Sequence, residues 1–136
     1  MQLETRQLQI YTGVLHAAGK EMNRSFIDVM YNQEWEDFDD FMRKYGPVSN
    51  PEAYLHCITV CNNLQEMGVL AEQEALDPEI IWRHSGMVVI RIWEKMEPII
   101  REFRIRGNDP LHWVSFENFY NEMKKKNEEK LQELKT

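Results

Sequence analysis

Glycine and proline are scarce in this sequence, which has 6 of the first and 5 of the second in 136 residues. Because these two residues supply most tight turns, their scarcity predicts few turns and long secondary-structure elements. A many-stranded sheet is therefore disfavoured, and an all-α fold is favoured. A chain of this length is the usual size of one domain, so we expect residues 1–136 to form a single helical domain.

Long apolar runs are also lacking. The longest is MVVI, residues 87–90, far short of the roughly 20 residues that cross a bilayer. The opening MQLETRQLQI is polar and charged where a secretory signal needs an apolar core. The only two cysteines, Cys57 and Cys61, lie one helical turn apart, poorly placed for a structural disulfide. We expect no membrane span and a reducing, cytoplasmic location.

Basic residues are outnumbered, with 16 Lys and Arg against 23 Asp and Glu, which gives a net charge of −7. Affinity for nucleic acid comes largely from neutralisation of phosphates by Lys and Arg, so this balance disfavours a nucleic-acid partner. Arg101, Arg104 and Arg106 cluster before Gly107 and leave a nucleic-acid-associated accessory role as an alternative.

Three Asx-Pro dipeptides read as helix starts, because Asn and Asp cap a helix and proline suits its first position: Asn50-Pro51, Asp77-Pro78 and Asp109-Pro110. Glycines suggest the helix ends, at Gly46, Gly68 and Gly107. Apolar residues at helical spacing then predict helices over about 3–45, with a break near Gly19 or Asn32, and over 51–67, 78–106 and 110–134.

The predicted helix at 78–106 is the most apolar, so we expect it at the centre of a bundle of four to five helices. Pro98 lies inside it and predicts a kink. The charged C-terminal stretch, about residues 124–136, has too few apolar residues to fold alone and is expected to project, fray or pair with a second chain.

The segment QEWEDFDDFMRKYG, residues 33–46, is rich in carboxylates. On a continuous helix the aromatic and apolar residues share one arc, and Glu36, Asp37, Asp39 and Asp40 spread over the opposite, water-facing side. A calcium loop of the EF-hand kind would need alternating ligands and a glycine at its turn, which are lacking. A solvated helix face is therefore predicted, with an acidic patch for a basic partner as the alternative.

Two further groups of residues are weighed as metal sites. Cys57 and Cys61 with His56 could begin a zinc site, but two more ligands would be needed from scattered histidines. Asp109-x-x-His112 echoes half of a di-iron pattern, without a second copy. We expect no metal and no cofactor.

Catalytic motifs are not recognised, since the sequence has no glycine-rich phosphate loop and no nucleophile elbow. We assign no catalytic residue. The alternative is a ligand-binding protein or enzyme with a pocket around Trp82, His84, Arg91 and Trp93.

An aromatic stripe near the C-terminus runs at alternating steps of three and four through Trp113, Phe116, Tyr120 and Met123 to Asn127, as in a coiled-coil seam. Such a seam packs within the chain or against a partner. Our leading hypothesis is a non-catalytic interaction or regulatory module with a protein partner, homodimeric through its first or last helix.

Residues 57–104 resemble the domain of unknown function 4760 family. The matching features are the helix end NNLQEMGVL, the helix start LDPEI, and Trp93 followed by Pro98. The resemblance implies a helical protein and assigns no activity or functional residue. Many members look as if they carry an N-terminal membrane helix, whereas LETRQLQIYTGVLHAAGKEM in this chain is amphipathic.

Overall fold

The structure, a computed structural model, describes residues 5, 6, 9, 19 and 21–135. Residues 21–27 are α-helical and run into a π-helical segment, Asp28–Asn32. Four further α-helices follow: α1 is Phe38–Tyr45, α2 is Pro51–Glu72, α3 is Pro78–Arg106 and α4 is Val114–Lys135. No strand is found in the part of the chain that is described, and the all-α helical bundle is confirmed.

Two of the three predicted helix starts are confirmed. The side chain of Asn50 accepts a hydrogen bond from the Ala53 N–H at the start of α2, and that of Asp77 accepts from the Glu79 N–H at the start of α3. Both helices have proline in their first turn. Each capping carboxylate or amide thus satisfies a backbone donor that has no partner within the helix.

The third predicted start, Asp109-Pro110, is wrong by several residues, because α4 begins at Val114. Trp113 has φ of +56°, a left-handed conformation outside any α-helix. Its indole Nε1 donates to Asn62 Oδ1 on α2, at 2.9 Å. A contact between distant parts of the chain therefore holds this loop in a conformation that the local sequence does not indicate.

Gly46 and Gly107 follow the ends of α1 and α3 as predicted, but Gly68 does not end a helix. It is buried inside α2, which continues to Glu72. A Cβ added at Gly68 would lie 2.3 Å from the Ser115 carbonyl oxygen. A glycine is required here because α4 passes very close to α2. Since a close helix crossing and a helix end can both require glycine, the sequence alone does not distinguish them.

The core forms where α4 packs along both α2 and α3. Of the described helices, α3 contributes most to the interior, with nine buried residues: Ile81, Gly86, Val89, Ile90, Ile92, Trp93, Met96, Ile99 and Ile100. This agrees with its apolar sequence. None of the described helices is both long and apolar enough to cross a membrane.

The non-helical backbone recorded within α3 lies at Ser85, with φ of −147° and ψ of 22°, and not at Pro98. The Trp82 ring fills the space beside Gly86, where a Cβ would meet its Cδ1 at 2.7 Å. The interruption of the helix at Ser85 therefore lies next to the packed Trp82 ring. Pro98 is exposed and lies within the C-terminal part of α3.

The carboxylate-rich segment does not form one continuous helix. The chain leaves helical structure between the π segment and α1, so the predicted break near Asn32 is confirmed, while most of the predicted helix before residue 21 lies outside the described residues. Asp37 caps α1 by accepting the Asp40 N–H. Of the four carboxylates predicted to face water, Glu36, Asp37 and Asp39 are exposed.

Asp40 is the exception, since it is 8% exposed. Its carboxylate accepts the Glu36 N–H at 3.0 Å and pairs with Arg43 and Lys44. The Glu36 N–H, with the two basic side chains, lowers the pKa of Asp40. The helical projection is wrong for this residue because residues 33–37 are not helical, and the Glu36 N–H is therefore able to bind the Asp40 carboxylate.

The charged C-terminal stretch is helical as far as Lys135. Lys126 and Lys130 pair with Glu79 on α3, at 3.3 and 3.4 Å, and Lys130 also lies over the Trp82 ring. The first part of the stretch is therefore attached to α3.

Candidate functional site

A groove of about 410 Å³ lies between α2 and the loop that joins α3 to α4. Tyr54, Ile58 and Asn62 line one wall at steps of four residues, which places them on one face of α2. The opposite wall consists of the end of α3 and the loop: Phe103, Gly107, Asp109, His112 and Trp113. The volume and the apolar character of these walls are typical of ligand and peptide sites.

Contacts within the chain hold the aromatic wall in place. The rings of His112 and Trp113 are 4.2 Å apart between centroids, and Phe103 meets both edge-on at 6.3 and 6.1 Å. Arg104 Nε donates to the His112 carbonyl oxygen at 2.8 Å. Together with the bond between Trp113 and Asn62, these contacts join the loop to α2 and α3 and fix the shape of the groove.

The groove carries one carboxylate, from Asp109, whose side chain is 61% exposed. The Nδ1 of His112 lies 3.8 Å from the Asp109 Oδ2, too far for a hydrogen bond. No Lys or Arg is among the described residues that line the groove. Burial raises the pKa of Tyr54, which therefore stays a neutral phenol at physiological pH.

The described residues include no group of three or more His, Cys, Asp and Glu side chains placed to hold a metal ion. Cys57 and Cys61 are buried in the core. Burial raises the pKa of Cys57 to about 12 and that of Cys61 well above its ordinary value, so both are protonated thiols at physiological pH.

The predicted interaction residues of the aromatic stripe face the interior. Trp113, Phe116 and Met123 are buried, and Tyr120 is half-buried. Phe116 meets Trp93 edge-on at 5.1 Å, and Tyr120 stacks on the same ring at 5.8 Å. In this chain the stripe joins α4 to α3, and only Trp113 also lines the groove.

The four residues of the alternative pocket are not brought together. Trp93 is buried against α4, whereas Trp82 lies closer to the N-terminus of α3, beside Lys130. His84 and Arg91 are exposed.

The three arginines before Gly107 pair with carboxylates of the chain: Arg101 with Glu97, Arg104 with Glu117, and Arg106 with Glu102 and Asp39. Their charges are largely neutralised before any phosphate could approach. This arrangement does not favour the nucleic-acid alternative.

A second, smaller cleft contains a hydrogen bond between Ser25 Oγ and His56 Nδ1 at 2.8 Å. A serine and a histidine at this distance resemble a nucleophile with its base. However, Ser25 is only 3% exposed. It also lies within a helix, where the backbone N–H groups bond within the helix and are not free to stabilise an oxyanion. The pair serves as a link between two helices, and its members are too far apart in the sequence for a motif to reveal them.

The sequence gives no signal for a second polar cluster, around Lys95 of α3. Its ammonium group donates to the carbonyl oxygens of Val29, Met30 and Gln33 where the π segment ends. Burial lowers the pKa of Lys95, while nearby acidic side chains oppose the shift. With its donors bound to backbone, the lysine attaches the π segment to α3.

These observations define a small all-helical protein with a preformed aromatic groove. Residues 7–123 match the family described as domain of unknown function (DUF4760). The chain belongs to this family, over a wider range than the resemblance at residues 57–104 indicated. No curated protein and no solved structure matches it.

Proposed function

We propose that this protein is a non-catalytic interaction or regulatory module that binds a segment of a partner protein in the aromatic groove. The observation that carries the proposal is the aromatic wall of the groove, in which hydrogen bonds from Arg104 to the His112 carbonyl oxygen and from Trp113 to Asn62 fix the loop, while Phe103 and His112 stay partly exposed. Aromatic side chains dominate binding at protein interfaces, because they bury a large area at a small cost in conformational entropy.

The chemistry of the lining residues supports recognition over reaction. None of the described residues that line the groove is a Ser, Thr, Cys or Lys, and the two groups that could exchange protons, Asp109 and His112, are 3.8 Å apart and form no hydrogen bond. The groove offers apolar surface with a few polar groups at its rim, an arrangement that is typical of peptide-binding sites.

Selection of random peptides displayed on phage, using the wild-type protein as bait, tests this proposal. Tyr54→Ala removes one aromatic wall of the groove, and we expect selected peptides to bind this variant about tenfold more weakly by fluorescence anisotropy. The matched control is Tyr31→Ala, which removes a tyrosine that is 67% exposed and lies outside the groove. Peptides that bind both variants as tightly as the wild type would contradict the groove as the binding site.

We also propose a homodimer formed through the C-terminal part of α4. Leu131 and Leu134 are 51% and 83% exposed and lie three residues apart, on one side of this helix. Two exposed leucines beside charged residues are typical of a helix that pairs with another helix.

A reducing, cytoplasmic location is proposed with these functions. It is supported by the two buried cysteines, which form no disulfide.

A further inference from the structure

We propose that the anchor residue of the partner segment is an arginine, which lies against the aromatic wall of the groove and pairs with Asp109. This inference rests on the proposed function, since it names the chemistry of the segment that the groove would bind.

The charge of the groove favours a cation. Asp109 is the one carboxylate among the lining residues, and it has no cationic partner within 3.5 Å among the described residues. Its side chain is not used to cap α4, which begins five residues later at Val114. A carboxylate without a structural task beside aromatic rings is complementary to a guanidinium group, which can form two parallel hydrogen bonds with it.

The rings favour a planar cation. The negative face of an aromatic ring attracts cations, and guanidinium can both stack on a ring and bind a carboxylate in the same plane. Tyr54 and Phe103 are half-buried and line opposite walls of the groove. An extended side chain that enters between these walls can place its charged end near Asp109.

No Lys or Arg among the described residues pairs with Asp109. Arg104 and Arg106 are the arginines adjacent in sequence to the lining residues, and both are paired elsewhere: Nη1 of Arg104 binds Glu117 at 2.7 Å, and Arg106 pairs with Glu102 and Asp39. Asn62 Oδ1 accepts one hydrogen bond from Trp113 and retains a second lone pair for a donor of the ligand. The net charge of −7 also attracts basic segments over a longer range.

The experiment uses a pentapeptide with a central arginine flanked by alanine and leucine, and an otherwise identical peptide with citrulline, a neutral analogue of arginine. Binding to the full ¹⁵N-labelled chain is followed by NMR through the indole N–H of Trp113. We expect the arginine peptide to bind at least about fivefold more tightly than the citrulline peptide, since only the first carries a charge. Equal affinity of the two peptides would overturn the proposal.

The matched variants are Asp109→Asn and Glu122→Gln, each of which removes one negative charge from an exposed side chain. Asp109→Asn should weaken the arginine peptide about fivefold and leave the citrulline peptide unchanged, whereas Glu122→Gln should affect neither. An unchanged arginine affinity in Asp109→Asn would refute the proposed pair.

Free N-acetylarginine amide provides the third arm. If it binds as tightly as the peptide, the ligand is a small cation and the assignment to a protein segment fails. Failure of the proposed function is distinguishable, because then no phage-selected peptide would perturb the Trp113 signal. If only the arginine anchor is wrong, selected peptides still perturb that signal but carry no arginine and bind Asp109→Asn normally.

Discussion

Gly68 shows how a single residue can set the distance between two helices. It lies within α2, and its missing side chain lets the backbone of Ser115, at the start of α4, come within contact. A flexible side chain could move away from an added methyl group, but a backbone carbonyl that belongs to a packed helix cannot do so cheaply. The crossing of α2 and α4 therefore depends on this glycine.

Gly68→Ala is expected to lower the free energy of unfolding by about 2 kcal/mol, because overpacking at the crossing outweighs the better helix propensity of alanine. Urea denaturation followed by circular dichroism measures the change. Glu66→Ala, an exposed substitution on the same helix, serves as the control and should stay within about 0.5 kcal/mol of the wild type. If the two variants are equally stable, the close approach is not a constraint on the fold.

At the scale of the elements, the sequence predicts the starts of α2 and α3 correctly and the start of α4 wrongly. Asn50 and Asp77 cap α2 and α3 through their own side chains, an interaction that spans only three residues. Asp109-Pro110 has the same local pattern, but it opens a turn in which the His112 N–H donates to the Asp109 carbonyl oxygen. Trp113 then has a left-handed conformation, with its indole hydrogen-bonded to Asn62, and α4 begins only at the next residue.

Two substitutions distinguish the cap at Asp77 from the wrongly predicted cap at Asp109. Asp77→Ala should lower the free energy of unfolding by about 1 kcal/mol, since the Glu79 N–H loses its acceptor. Asp109→Ala should change it by less than about 0.5 kcal/mol, because no helix begins there. Thermal or urea unfolding of both variants provides the comparison, and a similar loss in Asp109→Ala would place the start of α4 earlier than Val114.

At the scale of the whole molecule, the surface is acidic overall and most of its basic groups are paired within the chain. Arg104 and Arg106 at the end of α3, and the lysines of α4 at positions 126 and 130, bind carboxylates of neighbouring elements. These pairs join α3 to α1 and α4. Apolar surface is also exposed on the described residues, and it includes the groove and the two leucines near the end of α4.

The proposed homodimer can be tested by light scattering over a wide range of protein concentration. We expect a dimer for the wild type and a monomer for the double variant Leu131→Glu and Leu134→Glu, since two added charges per chain would face each other in the apolar contact. Leu111→Glu, at a leucine that is 67% exposed in the loop before α4, is the control and should remain dimeric. A wild-type protein that is monomeric at its highest concentration would contradict this proposal.

The sequence alone determined the helical class, the caps of α2 and α3, and the apolar character of α3, because each depends on interactions within a few turns of one helix. It also supported the family, which the match over residues 7–123 shows. Periodicity placed Phe116 and Met123 on one stripe but did not say whether another part of the chain covers it.

Tertiary structure decided the rest. The role of Gly68, the start of α4, the attachment of the π segment and the groove itself depend on contacts between residues far apart in the chain: Ser115 with Gly68, Trp113 with Asn62, and Lys95 with the end of the π segment. Such contacts leave no periodic trace in the sequence, because they depend on how the helices cross and not on which residues are neighbours along them.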